Sequence, residues 1–89
     1  MDWTVYMVRC ADGSLYAGIA RDVEARIALH NSGRGARYTR GRGPVELVYR
    51  ETAPDRSAAQ SRDRAIKRLS AIQKQGLIGH AAADGKVGS

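Results

Sequence analysis

Tyr6 in TVYMV and Tyr16 in YAGIA lie ten residues apart, and Arg26 in DVEARIALHN lies ten residues further on. His30 follows Arg26 by one helical turn, and Asp63 comes later in SRDRAIKRL. Phenol and imidazole groups hand protons on, and a guanidinium offers a planar fork of donors to a phosphate or carboxylate. Together these types fit proton transfer next to a bound anion. Each also has a structural reading. Strand tyrosines pack on sheet faces. Arg26 can pair with Asp22, His30 suits the C-terminal end of a helix as a cation, and Asp63 can pair with Lys67 one turn on.

Residues 33–44, GRGARYTRGRGP, carry Arg34, Arg37, Arg40 and Arg42 with four glycines and no acid. Glycines let a backbone approach a ligand closely. Positive charge without a counter-charge nearby points to phosphate contact. The spacing is not that of a GxxxxGK[ST] phosphate loop. Cys10 is the sole cysteine, so no CxxC pattern exists, and in its strand-like run it reads as a small buried apolar side chain. His80, near the end of the chain, reads as incidental.

These residues need elements to position them. WTVYMVRC (3–10) is rich in β-branched and aromatic residues, Asp12-Gly13 is a strong turn signal, and SLYAGIA (14–20) completes a β-hairpin. Alternation puts Thr4, Tyr6 and Val8 on one face of the first strand and Trp3, Val5 and Met7 on the other. Residues 21–31 form a helix with acids in its first turn, Val23, Ile27 and His30 at helical spacing, and Ser32-Gly33 as its stop. Residues 45–52 alternate as a third strand behind Pro44. Asp55 caps a second helix running from Arg56 to Leu69, with Ala59, Ile66 and Leu69 facing the core. Ser70 to Gln73 is a capping box, so a third helix runs from there through Leu77 and Ile78, weakened by Gly76 and Gly79. The fold class is α/β of the α+β type: a small three-stranded antiparallel sheet flanked by about three helices, in the order β-β-α-β-α-α. The chain has 89 residues, which suits one domain over 1–82 and a small, polar, frayed tail over 83–89.

Composition sets the partner class. Fifteen Lys and Arg against nine Asp and Glu give a net charge of +6, which favours a polyanion and first of all nucleic acid. No apolar run is long enough to span a membrane, and the N-terminus lacks a basic segment before its apolar stretch, so no signal peptide is expected. The expected compartment is the cytoplasm.

The chain resembles a GIY-YIG nuclease domain. The two triplets of that family correspond here to Thr4-Val5-Tyr6 and Tyr16-Ala17-Gly18, and its helical arginine to Arg26. The resemblance is strongest to a short stand-alone bacterial branch. It runs from about Trp3 to Ile78 and includes RYTRGRGPVELVYRE and IKRLSAIQK. It implies phosphodiester hydrolysis of nucleic acid, DNA before RNA, with one divalent ion, Mg²⁺ or Mn²⁺. Tyr6 is then the candidate general base, and Tyr16 orients water or phosphate. Arg26 clamps the phosphate, and His30 assists proton transfer. Gly18 leaves room for the substrate backbone. Arg34, Arg37, Arg40, Arg42 and Lys67 hold flanking phosphates. Aligned through IKRL, the family's metal-binding glutamate corresponds to Asp63, which is one methylene shorter and sets the carboxylate back by roughly 1.5 Å. The alternative is a catalytically weak or inactive module that binds nucleic acid through the basic loop.

Overall fold

The computed structural model of the protein describes residues 2–34 and 41–83. The expected element order is found. Strands β1 (Trp3–Arg9) and β2 (Leu15–Ala20) precede helix α1 (Val23–Asn31). Strand β3 (Glu46–Ala53) precedes helices α2 (Arg56–Lys67) and α3 (Ala71–Ala83). Local chemistry explains the boundaries. Gly13 takes φ 86° in the hairpin turn, and Ser14 N–H donates to Asp12 Oδ1 at 3.0 Å. Asp22 caps α1 by accepting from Ala25 N–H at 3.0 Å, so it lies just outside the helix rather than in its first turn. Asp55 caps α2 in the same way through Ala58 N–H at 2.8 Å.

Two boundaries differ from expectation. Helix α2 ends at Lys67, with Arg68 as its C-cap, two residues before Leu69. The reciprocal capping box of α3 claims the segment that follows: Gln73 N–H donates to Ser70 Oγ at 3.1 Å, and Ser70 N–H donates to Gln73 Oε1 at 2.9 Å. Helix α3 itself runs on to Ala83, past Gly76 and Gly79. The frayed tail expected over 83–89 otherwise lies outside the described residues.

The sheet is antiparallel with β1 in the centre, in the order β2-β1-β3. A central strand covered on both faces must be apolar throughout, and Val5, Tyr6, Met7 and Val8 are all buried. Alternate residues of β1 serve two cores. Val5 and Met7 pack with Tyr49 and Ala53 of β3 and with Ala59 and Ile66 of α2, and Leu77 and Ile78 of α3 lie against them. Tyr6 and Val8 pack with Ala20, with Val23 of α1 and with Val45. A bulge at the Met7/Val8 step lets Met7 pair Tyr49 and Val8 pair Leu47, so Val48 is the extra residue. Each fully buried aliphatic side chain contributes about 1.5–3 kcal/mol relative to exposure.

Candidate active site

The face of the sheet that carries Tyr6 is also the face that carries Tyr16. Tyr16 stands opposite Val8 in the β1–β2 register, and Tyr6 stands opposite Gly18. That second pairing corrects the expectation for Gly18. A Cβ on Gly18 would meet Tyr6 Oη at 2.7 Å and Cζ at 2.9 Å. The room that this glycine leaves is filled by the Tyr6 ring and not kept for a substrate backbone. Gly18 thus acts by letting an aromatic ring lie flat across the neighbouring strand.

Helix α1 lays its Val23–Ile27–His30 stripe over this face. His30 is 2% exposed, and its Nε2 is 2.9 Å from Tyr6 Oη. Its ring meets Tyr6 edge-on at 6.0 Å between centroids and Tyr16 at 5.6 Å. The reading of His30 as a helix-terminal cation is therefore overturned. Burial, with the Arg26 charge adding to it, lowers its pKa and keeps the imidazole neutral. Tyr6 is 1% exposed, and its phenol is pushed up to about 12, first by burial and then by Tyr16, with Arg26 opposing and Asp63 reinforcing the rise. Its environment holds the proton on rather than releasing it.

Arg26 reaches the same cluster from α1. Its positive charge acts on both Tyr6 and His30, its side chain is exposed, and it forms no ion pair among the described residues. The alternative partner, Asp22, spends its carboxylate on the α1 cap. Helix α2 brings Asp63 from the other side. Asp63 Oδ2 accepts from Lys67 Nζ at 2.9 Å, and Asp63 Oδ1 is buried with no hydrogen-bond partner among the described residues. Lys67 Nζ also sits 5.7 Å from the centroid of the Tyr16 ring. Lys67 is thus part of the cluster, between Asp63 and Tyr16.

A buried carboxylate oxygen without a donor is costly unless a cation or donor arrives. Asp63 therefore fits a hard divalent ion. Among the described residues no group of three or more His, Cys, Asp or Glu could hold a metal. One carboxylate completed by waters and phosphate oxygens is how Mg²⁺ is often held.

The basic segment after α1 is pinned at both ends. Val45 N–H donates to Asn31 Oδ1 at 2.6 Å, and Asn31 Nδ2 donates to the Val45 carbonyl at 3.3 Å. Ala11 N–H donates to the Arg42 carbonyl at 2.7 Å, and the Arg42 guanidinium pairs with Asp12. The segment contains no acid, yet Arg42 draws its counter-charge from the β1–β2 turn, thirty residues away. This corrects the premise on which Arg42 was assigned to a phosphate. Asp12 is held down to about 2 by its hydrogen bonds from Ser14 and then by Arg42. Arg34 is exposed just after α1. The expectations for Arg37 and Arg40 lie outside the described residues. Asn31 was not singled out from sequence, and only its helix-terminal position before Ser32-Gly33 could have drawn attention to it.

No helix among the described residues is long and apolar enough to cross a membrane. Comparison with known proteins agrees with the site's composition. Residues 2–75 match the model of the GIY-YIG catalytic domain. A UPF0213 protein of Desulfotalea psychrophila is 57% identical over 77 residues, covering 85% of this chain and 70% of that protein. A UPF0213 protein of Staphylococcus epidermidis is 53% identical over 74 residues, covering 83% of this chain and 90% of that protein. The solution structure of a UPF0213 protein from Bacillus halodurans matches with a TM-score of 0.61 at 40% identity, covering 97% of this chain and 92% of that one. A solution structure from E. faecalis matches with a TM-score of 0.63 at 34% identity, covering 93% and 88%. The chain therefore belongs to the GIY-YIG nuclease superfamily, among its short UPF0213 proteins.

Proposed function

We propose that this protein is an endonuclease that hydrolyses phosphodiester bonds of nucleic acid, DNA before RNA, with one divalent ion, Mg²⁺ or Mn²⁺. The observation that carries this reading is the convergence of Tyr6, His30, Tyr16, Arg26 and Asp63 from four elements, with one Asp63 oxygen buried and unpartnered. Asp63 would hold the ion, which when bound neutralises charge growing on the phosphate and stabilises the departing oxygen.

The chain's own residues handle the proton. At pH 7 a phenol with a pKa near 12 is ionised in roughly one molecule in 10⁵, so a resting tyrosinate is not the base. The neutral His30 imidazole, 2.9 Å away, supplies the missing acceptor. Tyr6 takes a proton from the attacking water as its own proton passes to His30, so no free phenolate builds up. This gives His30 a larger part than assistance. Arg26, exposed and unpaired among the described residues, receives the phosphate, and its charge favours proton release by Tyr6, while its opposing effect on His30 is offset by the phosphate charge it binds. Branched, nicked or single-stranded DNA met during repair in the cytoplasm is the natural substrate class. Binding through Arg26 and the basic segment is electrostatic and strongly salt-dependent.

The Lys67–Asp63 ion pair supports a second reading, a module that binds nucleic acid without cutting it, because the ammonium already stands where a metal would compensate the carboxylate. One experiment separates the two. Labelled DNA and RNA structures are incubated with Mg²⁺ or Mn²⁺ and the parent, Tyr6→Phe or Asp63→Ala. Metal-dependent cleavage lost in both variants is the expected result. Cleavage unchanged in both identifies a contaminant, and salt-sensitive binding without cleavage in all three selects the second reading.

A further inference from the structure

A groove of about 490 Å³ opens beside the cluster, on the outer face of α1. Arg26 belongs to its wall and is the residue through which the groove adjoins the candidate active site. Its floor is apolar: Trp3, Ala25 and the part-exposed Leu29. Its rim is cationic. The Arg21 guanidinium lies 5.2 Å from the centroid of the Trp3 ring, and that of Arg56, arriving from the start of α2, lies at 5.8 Å. Arg21, Arg26 and Arg56 have no carboxylate partner among the described residues. The one acid in the wall, Asp22, is occupied by the α1 cap.

We infer that this groove binds an unpaired nucleotide adjacent to the scissile phosphate, which makes single-stranded or frayed nucleic acid the preferred substrate. The inference rests on the phosphodiesterase reading for its direction and on the groove's own chemistry for its ligand. Arg21 and Arg26 in the wall, with Arg56 beside Trp3, outnumber the one acid there, Asp22, and complement phosphates next to the scissile one. Trp3, Ala25 and Leu29 give a base or sugar face an apolar floor, the indole opening to it as Arg21 or Arg56 leaves the ring for a phosphate. A duplex hides its base faces inside the stack and can offer this groove only its backbone. The volume also suits one nucleotide, since small-ligand sites run to roughly 300–1,000 Å³.

Trp3 is the only tryptophan, so the protein carries its own probe. The full chain is titrated in EDTA with a ten-nucleotide oligothymidylate and with a blunt duplex of equal phosphate content. Trp3 emission and the anisotropy of the labelled nucleic acid are followed together. The expected result is saturable quenching of Trp3 by the single strand and little by the duplex. Arg21→Gln and Arg56→Gln, both at exposed positions, each lower the salt slope of binding by about 0.7, whereas Lys74→Gln, in a different cleft beside Gly13 and Leu15, leaves it alone. Trp3→Leu weakens binding by about fivefold to a hundredfold. Single-strand binding with unmoved Trp3 emission and unchanged salt slopes overturns the subsite and leaves the nuclease reading standing. Equal quenching by the duplex overturns the assignment to unpaired nucleotides. Failure to bind the single strand in EDTA overturns the subsite, and failure to bind either nucleic acid when Ca²⁺ replaces EDTA removes the nuclease reading with it.

Discussion

Gly18→Ala tests the geometry on which the site depends, because a single methyl group would enter the space held by the Tyr6 ring. The new Cβ would stand 2.7 Å from Oη, 2.9 Å from Cζ and 3.2 Å from Cε2. Ordinary contact between carbon atoms is about 3.5–4.0 Å, so the ring must retreat by roughly 0.5–1 Å. A ring end at the surface would do so cheaply. Tyr6 is 1% exposed, and its hydroxyl is tied to His30, so retreat means overpacking the core or breaking that bond. Overpacking costs about 1–3 kcal/mol. Against it stands a gain of about 0.4–1 kcal/mol from stiffening the unfolded chain, available because Gly18 does not need a positive φ. From the middle of each range the net loss is about 1.3 kcal/mol, or a fall of roughly 5–10 °C in Tm for a domain of this size. Denaturant unfolding of the parent, Gly18→Ala, Tyr6→Phe and the double variant measures it as a cycle. Tyr6→Phe removes the 2.7 Å contact and the tether to His30, so Gly18→Ala should cost about 0.5–1 kcal/mol less in that background. Cleavage should also fall at least tenfold in Gly18→Ala, since the Tyr6 hydroxyl is displaced from His30. A Gly18→Ala protein as stable as its parent, with no coupling to position 6, would show that the ring does not lie over Gly18 and would refute the reasoning.

Three further outcomes follow from the same structure. His30 has a folded pKa below its unfolded value of about 6.5, so the fold prefers it neutral. The associated stability is fully present above about pH 6.5 and is lost as pH falls through the folded pKa, and this loss should disappear in urea titrations of His30→Gln. Lys67→Met removes the cation beside Asp63, and calorimetric binding of Mn²⁺ should tighten severalfold while Asp63→Asn loses it; unchanged affinity in both would exclude Asp63 as a ligand. Ser70→Ala breaks the α3 capping box and should lower stability by about 1 kcal/mol in denaturant unfolding, with Gln73→Ala showing a smaller loss of the same sign.

The short-range features of this protein were legible in its residues. Asp55 and the Ser70–Gln73 pair act within three residues of themselves, and so do the Asp12-Gly13 turn and the Ser32-Gly33 stop. Period-two alternation placed Tyr6 and Val8 on one face of β1, and the hairpin register that sets Tyr16 opposite Val8 brings the second tyrosine to that face. Helical spacing put His30 on the same side of α1 as Val23. What these signals lack is distance. Nothing near Gly18 announces that Tyr6, twelve residues earlier, fills its missing side chain. Nothing near Arg42 announces Asp12, and helical position alone made His30 look like an exposed cation when two tyrosine rings enclose it. The Trp3 groove needs residues from β1, the end of β2 and α1, with Arg56 of α2 beside Trp3, which become neighbours only once the hairpin and both helices have docked. The sequence by itself determined the elements, their caps, their faces and the family. The tertiary structure decided which charges are compensated, which polar groups lose water and which ring fills which gap, because those energies depend on contacts between segments far apart in the chain.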